Sequence, residues 1–475
     1  MKTRFLVISA LLTLALLLTI GGQAVLAARA DDVYVVMEDL CGDPSAAAGV
    51  TTSMRATMNE HLYWDIFHTV GGETDVDFFF TEERGHSSSS GPYLEIHSFS
   101  GMGMSSTGSI DLEEEESENM LKPAAALAEE VPAGEKRTKT YALADFYDYY
   151  HINSQIRLPS PNNVVRWALE SAAEEAFVND YFKFPVLPDH KVEVKVEKNG
   201  MGGVSDVSIN TVGTTDFNLG AVSAFTDHGY YFSFSRFNGM TPLDVSHIKD
   251  GYGIYVVPLA ENSSGLLGIP EDRDPVELAV SLPEEIDLMG LAAASDQTEL
   301  YVLYGLNGTQ YLDVYALPDM TKTQTVELPK QYRDGGTVQM HDIMVDETGI
   351  LLNGGACMSF LAPDADGKLA VQTIGDYQTA LDEYGSFYTW NGLDFSWNGE
   401  FLAITYPYDF YESCRYYLLI FGADGLAYTG RLGLSLNDAD NGTDVDRYHY
   451  KYDHRVRFDS FNSYDDTNYL SVSWN

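Results

Sequence analysis

Four aspartates crowd one segment near the C-terminus: Asp438, Asp440, Asp444 and Asp446 in NDADNGTDVDRYHYKYD (437–453). Closely spaced carboxylates are hard oxygen donors, the kind a calcium ion takes. An EF-hand needs oxygen ligands at loop positions 1, 3 and 5, a Gly at 6 and a Glu at 12. Counting back from Gly442 puts Ala439 at a ligand position, and Tyr448 stands where the Glu belongs. Calcium therefore competes here with a plain solvated turn. His449 and His454 lie near these acids. The segment goes on to alternate Tyr448, Tyr450 and Tyr452, and a second stretch, YPYDFYESC (406–414), carries Tyr406, Tyr408, Phe410 and Tyr411. Flat amphipathic rings bury area at low entropic cost, so Tyr406, Tyr408, Phe410, Tyr411, Tyr448 and Tyr450 form a candidate stacking platform for a sugar or peptide. The competing reading is a strand with alternating faces.

Catalytic signatures are missing. The sequence has no HExxH, Walker loop, CxxC or GxSxG. GHSSSSG (85–91) sets His86 beside serines in a polar loop, whereas a triad is assembled by the fold. No catalytic residue is assigned. With 71 acids, two carboxylates at a glycosidase separation remain open. Cys41, Cys357 and Cys414 are too few for a disulfide scaffold. A Cys357–Cys414 bridge competes with separate thiols. Asn262, Asn307 and Asn441 head N-x-Ser/Thr sequons.

The elements that must position these residues are short strands. TELYVLYGL, the turn NGT, QYLDVYALP and TQTVELP form a meander between 298 and 329. Asn307-Gly308 suits a type I′ hairpin, whose two central residues need positive φ. Comparable units read at 61–112, 140–210, 223–282, 341–374 and 393–434, with a partial copy from 455 to the end. Repeated four-stranded antiparallel units are the blades of a β-propeller. DFSWNGEFLAI (394–404) and LYVLYGLNGTQYLDVYAL (300–317) resemble WD-repeat-like blades, and the chain looks like the large secreted propellers of Gram-positive bacteria. The resemblance implies an all-β, seven-bladed propeller, with six or eight blades as alternatives. Its closure is expected from pairing of N- and C-terminal strands: DDVYVVMED (31–39) beside NYLSVSWN (468–475), with VTTSMRAT (50–57) outermost.

Long insertions fall at 113–138, which is acidic and begins EEEESENM, and at 162–188. In the second, Asn163 is a plausible N-cap, and Val165, Leu169, Ala172 and Ala176 recur at helical spacing, predicting the one clear helix. At the N-terminus, Lys2 and Arg4 precede an apolar run to Ile20 and small residues up to Ala30, the pattern of a secretory signal peptide over 1–30. An uncleaved anchor is the competing reading. The remainder, 31–475, reads as a single domain with no transmembrane segment. A net charge of −43 repels nucleic acid and anionic membrane, while 12% aromatic residues exclude a disordered acidic chain. The expectation is an extracellular or cell-surface monomer that binds a protein, peptide or glycan, with no cofactor unless calcium. The other reading is a carbohydrate hydrolase or lyase with its site at the central channel.

Overall fold

The structure is a computed structural model. It describes residues 33–58, 62–80, 93–97, 102–113, 120–158, 166–169, 171–213, 219–235, 237–238, 241–261, 267–333, 336–377, 394–407, 415–436, 457–458 and 471–474, with helical pieces between 13 and 24. No helix among them is long and apolar enough to cross a membrane. The chain divides into two compact units. One comprises Met1–Ser90, Gln331–Met340 and Met344–Asn475, and the other Gly91–Lys330 and His341–Ile343.

The strands follow from two-residue periodicity. In Lys191–Lys198, Val192, Val194 and Val196 are buried while the charged residues between them face outward. Among the described residues, seven sheets have three or more strands, all paired antiparallel where a register is given, and three further pairs are two-stranded. The sheets at 221–281, 287–327 and 342–376 each run through four strands in spatial order. The Asn307-Gly308 turn has φ of 52° and 73°, as a type I′ hairpin requires.

A feature of these sheets escapes a pattern of hydrophobicity alone. Between the first and second strand, one side-chain oxygen accepts the backbone N–H two residues on. Thr226 takes it from His228 (3.1 Å), Asp296 from Thr298 (3.0 Å), Asp346 from Thr348 (2.6 Å) and Asn398 from Glu400 (2.9 Å). These side-chain-closed turns punctuate four successive sheets, and they recur although the residue type differs.

Among the described residues, the second unit has one continuous apolar cluster, running from Leu112 to Tyr315. The described residues of the first unit form two. One is shared by the 342–376 and 394–436 sheets, through Phe360, Tyr377, Phe395 and Phe421. The other joins the 394–436 sheet to the terminal sheet, through Trp64, Ile66, Tyr416, Ile420 and Val472. Packing at the first is close enough that a Cβ on Gly375 would meet Met358 and the Phe421 ring at 2.6 Å.

N- and C-terminal strands do pair, with partners other than those expected. Ser471–Trp474 pairs with Val50–Met58, in the register Val50↔Trp474 to Ser53↔Ser471. Val33–Gly42 instead adds a fifth strand outside Gly425–Leu436. Its Val35 and Met37 then pack on the terminal cluster. Alternation alone cannot choose between two edges that accept the same face. The terminal sheet therefore takes three strands from the N-terminal side and its first-edge segments, Arg457–Phe458 and Ser471–Trp474, from the C-terminal side. Two other units are redistributed. Leu62–Thr69 and Thr74–Phe80 belong to the terminal sheet, whereas Tyr93–His97 joins Asn153–Leu158 and Arg166–Ala168. Met102–Ser105 flanks Val204–Val212, with Lys136–Ala142 on the far side of the Lys191–Lys198 strand.

The helical insertion also shifts. Helix α2 spans Ala172–Tyr181 and starts at Ser171, not at Asn163, which lies outside the described residues. Leu169 has φ of 65°, a value no helix interior accepts, and Arg166–Ala168 is a strand. Ser171 and Glu174 form a reciprocal capping box, the N-terminal signal the hydrophobic spacing obscured. Helix α1, Lys122–Glu130, occupies part of the acidic insertion and buries Ala124, Leu127 and Ala128. Ser171→Ala is expected to cost about 1 kcal/mol in denaturant unfolding. An unchanged midpoint would show the box to be idle.

Candidate functional site

The structure places Tyr406 inside. It is 1% exposed, and its ring stacks on Tyr377 with centroids 6.4 Å apart. Its period-two position in Leu402–Pro407 turns it toward the core, so it is a packing residue and leaves the proposed aromatic platform. Tyr408, Phe410, Tyr411, Tyr448, Tyr450, Asp438, Asp440, Asp444, Asp446 and Cys414 lie outside the described residues. Cys357 is a buried free thiol, and burial pushes its pKa up. Among the described residues no group of three or more His, Cys, Asp or Glu side chains is placed to hold a metal.

The carboxyl with the most distinctive surroundings is one the sequence did not single out. Asp394 opens the Asp394–Trp397 strand, the first of its sheet. Its Oδ2 accepts the Val472 N–H at 2.7 Å, and two residues on the Ser396 carbonyl accepts the Trp474 indole N–H at 3.0 Å. Thr348, in the turn of the neighbouring 342–376 sheet, accepts the Trp397 N–H at 3.2 Å. Three sheets of the first unit thus converge on one short strand.

Electrostatics follow from this placement. Burial pushes Asp394 up to about 6, the Val472 and Phe395 N–H groups pull it down, and the negative charge of Asp346 raises it further. Burial also raises Asp346, against the donors from Thr348 and Gly349 that hold it. Asp346 occupies the turn position that Thr226, Asp296 and Asn398 fill elsewhere, so its role in the turn explains it. Asp394 closes no turn; its Oδ2 holds the Val472 N–H of the terminal strand instead. A carboxyl raised to about 6 by burial, and further by the charge of a second carboxylate, holds its proton more readily than an ordinary Asp.

The sign of its pH dependence is fixed. A folded pKa of about 6, above the ordinary 3.8, means the folded chain binds this proton more tightly than the unfolded one. Charge at Asp394 therefore opposes folding above about pH 6, and that cost is relieved as pH falls toward 3.8. Asp394→Asn keeps an acceptor for Val472 and removes the charge. At pH 7 it is expected to stabilise the chain by up to about 3 kcal/mol, an advantage that shrinks with acidification between pH 6 and 4. Urea unfolding of both chains across that range is the measurement. A constant difference would show that Asp394 does not carry the shift.

The sheets define an all-β protein of β-propeller type, built from consecutive antiparallel blades. No family model matches the chain, and no curated protein matches it. Among solved structures, it is similar to the Dos1 propeller, at 13% identity over 45% of this chain and 50% of that one, with a TM-score of 0.25. It is also similar to the Cps50 (Swd1) β-propeller domain of Myceliophteria thermophila, at 11% identity over 50% and 82%, TM-score 0.24. A third is a putative 6-phosphogluconolactonase of Bacteroides fragilis, at 9% identity over 83% and 100%, TM-score 0.30. The chain spans about half the length of the Dos1 chain and of the mitotic checkpoint complex chain it matches. At these scores the likenesses carry no argument about function.

Proposed function

We propose that this chain is a secreted binding or scaffold protein. One observation carries the reading. Across a repeated frame of sheets and closed turns, the connection between the second and third strands varies from the two residues Asn307-Gly308 to the 235–252 segment, which holds a small hairpin of its own. A rigid frame with unequal loops is how recognition surfaces are built. Residues 1–30 act as the signal peptide, and the 31–475 remainder is one propeller of seven blades closed by its terminal strands. The loops at 113–138, 162–188, 406–414 and 437–453 meet a protein, peptide or glycan at the cell surface. Tyr408, Phe410, Tyr411, Tyr448 and Tyr450 supply the contacts, and Asp438, Asp440, Asp444 and Asp446 take calcium if any ion is used. Glycan and surface-peptide arrays, probed with and without EDTA, test this. Binding lost in Tyr408→Ala and Tyr448→Ala supports it, and no binding in either condition, with turnover of a glycan, sinks it.

Asp394 favours a second reading, an extracellular carbohydrate hydrolase or lyase. A partly protonated carboxyl near a second carboxylate is what general acid catalysis of glycoside cleavage uses. Reducing-sugar release by the wild-type chain that disappears in folded Asp394→Asn would establish it. Activity surviving in that variant would exclude this residue.

A further inference from the structure

The described residues include four complete Asn-Gly pairs, at Asn199, Asn307, Asn353 and Asn398. Three of the asparagines have their carboxamides tied down. Asn199 Oδ1 accepts from the Met201 and Gly203 N–H groups at 3.0 Å each, and its Nδ2 donates to the Gly108 carbonyl at 3.0 Å. Asn353 is 2% exposed, and its Oδ1 accepts the Gly355 N–H at 3.0 Å. Asn398 Oδ1 accepts from Glu400 and Phe401 at 2.9 and 2.8 Å.

Asn307 differs on each count. It is exposed at the tip of the hairpin between Glu299–Leu306 and Thr309–Ala316, and no side-chain hydrogen bond from it is found among the described residues. The Gly308 N–H makes no backbone hydrogen bond outside the strand ladder, and nothing lies within 4 Å of where a Gly308 Cβ would stand. The nucleophile is thus uncrowded and the carboxamide is free to rotate toward it.

We propose that Asn307 is a site of spontaneous covalent modification, deamidation through a cyclic imide. The Gly308 amide nitrogen, once deprotonated, attacks Asn307 Cγ. The N–Cγ bond forms, the Cγ–Nδ2 bond breaks, and Nδ2 leaves as ammonia, the proton lost from Gly308 being returned to it through solvent as its third hydrogen. Water then opens the five-membered imide at either carbonyl, giving aspartate or isoaspartate, with no oxidation or reduction. The two products have opposite structural consequences. Asp-Gly suits the same type I′ turn, so the aspartate product keeps the hairpin. Isoaspartate inserts a methylene into the main chain of a two-residue turn, where the Leu306↔Thr309 register has no slack.

The test is peptide mapping by mass spectrometry after incubating the folded full-length chain at mildly alkaline pH, with isoaspartate read separately by methyltransferase labelling. Asn307 is expected to convert several-fold faster than Asn199, Asn353 and Asn398. In denaturant the four rates should draw together, because the tied carboxamides are released. Asn307→Asp should fold with the wild-type unfolding midpoint and give no isoaspartate signal from imide formation on the wild-type timescale. Equal conversion of the four sites in the folded chain, or conversion at Asn199 or Asn398 ahead of Asn307, overturns the proposal. So does an Asn307 that stays intact when folded yet converts when unfolded.

Discussion

Deleting residues 471–475 is expected to unfold the unit that contains them, instead of fraying one strand. Ser471–Trp474 is only four residues long, yet it supplies the register partners of Val50–Ser53. Val472 is 5% exposed in the cluster with Trp64 and Ile420, and Trp474 packs on the same cluster. Its two bonds to Asp394 and Ser396 fasten it to the next sheet as well. Losing a buried Val, a partly buried Trp and their hydrogen bonds to the next sheet costs on the order of 4 kcal/mol, a large share of the whole stability of many domains. Hydrogen exchange should show protection lost across 50–80, 344–376 and 394–436 together. Loss confined to 50–53 would mean the strand is an ornament on a sheet that is complete without it. Trp474→Ala, which removes a partly buried ring, should give a milder form of the same result, about 2 kcal/mol.

Asp313→Ala is expected to destabilise the 287–327 sheet by about 3 kcal/mol. The Asp313 side chain is 4% exposed and accepts from Thr325 Oγ1 at 2.5 Å and Lys322 Nζ at 3.1 Å, with the Tyr304 and Tyr315 hydroxyls at 3.4 and 3.5 Å. These donors come from three adjacent strands, so one carboxylate ties the sheet across its width. Removal strands the less accessible donors, whereas Lys322, half exposed, turns to water. Asp313→Asn should cost less than Ala, since one acceptor survives. Denaturant unfolding that ranks Asn below Ala in stability would contradict this account.

The blade pattern was legible because its cause is local. Alternation in VEVKVEK and the Asn-Gly turn at 307 depend on neighbours a few residues away, and both formed as read. Which strand met which was not legible where the deciding contact is distant. Val35 and Met37 suit either of two sheet edges, and only the packed cluster selects Gly425–Leu436. The helix start was written locally, in Ser171 and Glu174, but apolar spacing from Asn163 masked it until the positive φ of Leu169 broke the run. Tyr406 was misplaced because it was read as the start of an exposed insertion, whereas it ends a strand, Leu402–Pro407, that is buried on both faces. Asp394 carries no sequence signal at all: its environment is assembled by Val472, some eighty residues away.

The outer strand Val33–Gly42 reaches its partner across most of the chain, and the Glu38–Arg431 contact spans 393 residues. During synthesis at about 5–20 residues per second, that partner arrives roughly 20–80 s after the strand itself. Val50–Met58 waits still longer for Ser471–Trp474. Throughout that interval both N-terminal strands present bare edges and apolar faces, the features that invite intermolecular pairing. A nascent chain of this design is therefore a long-lived client for holdase chaperones, and its yield will track their supply more closely than its final stability.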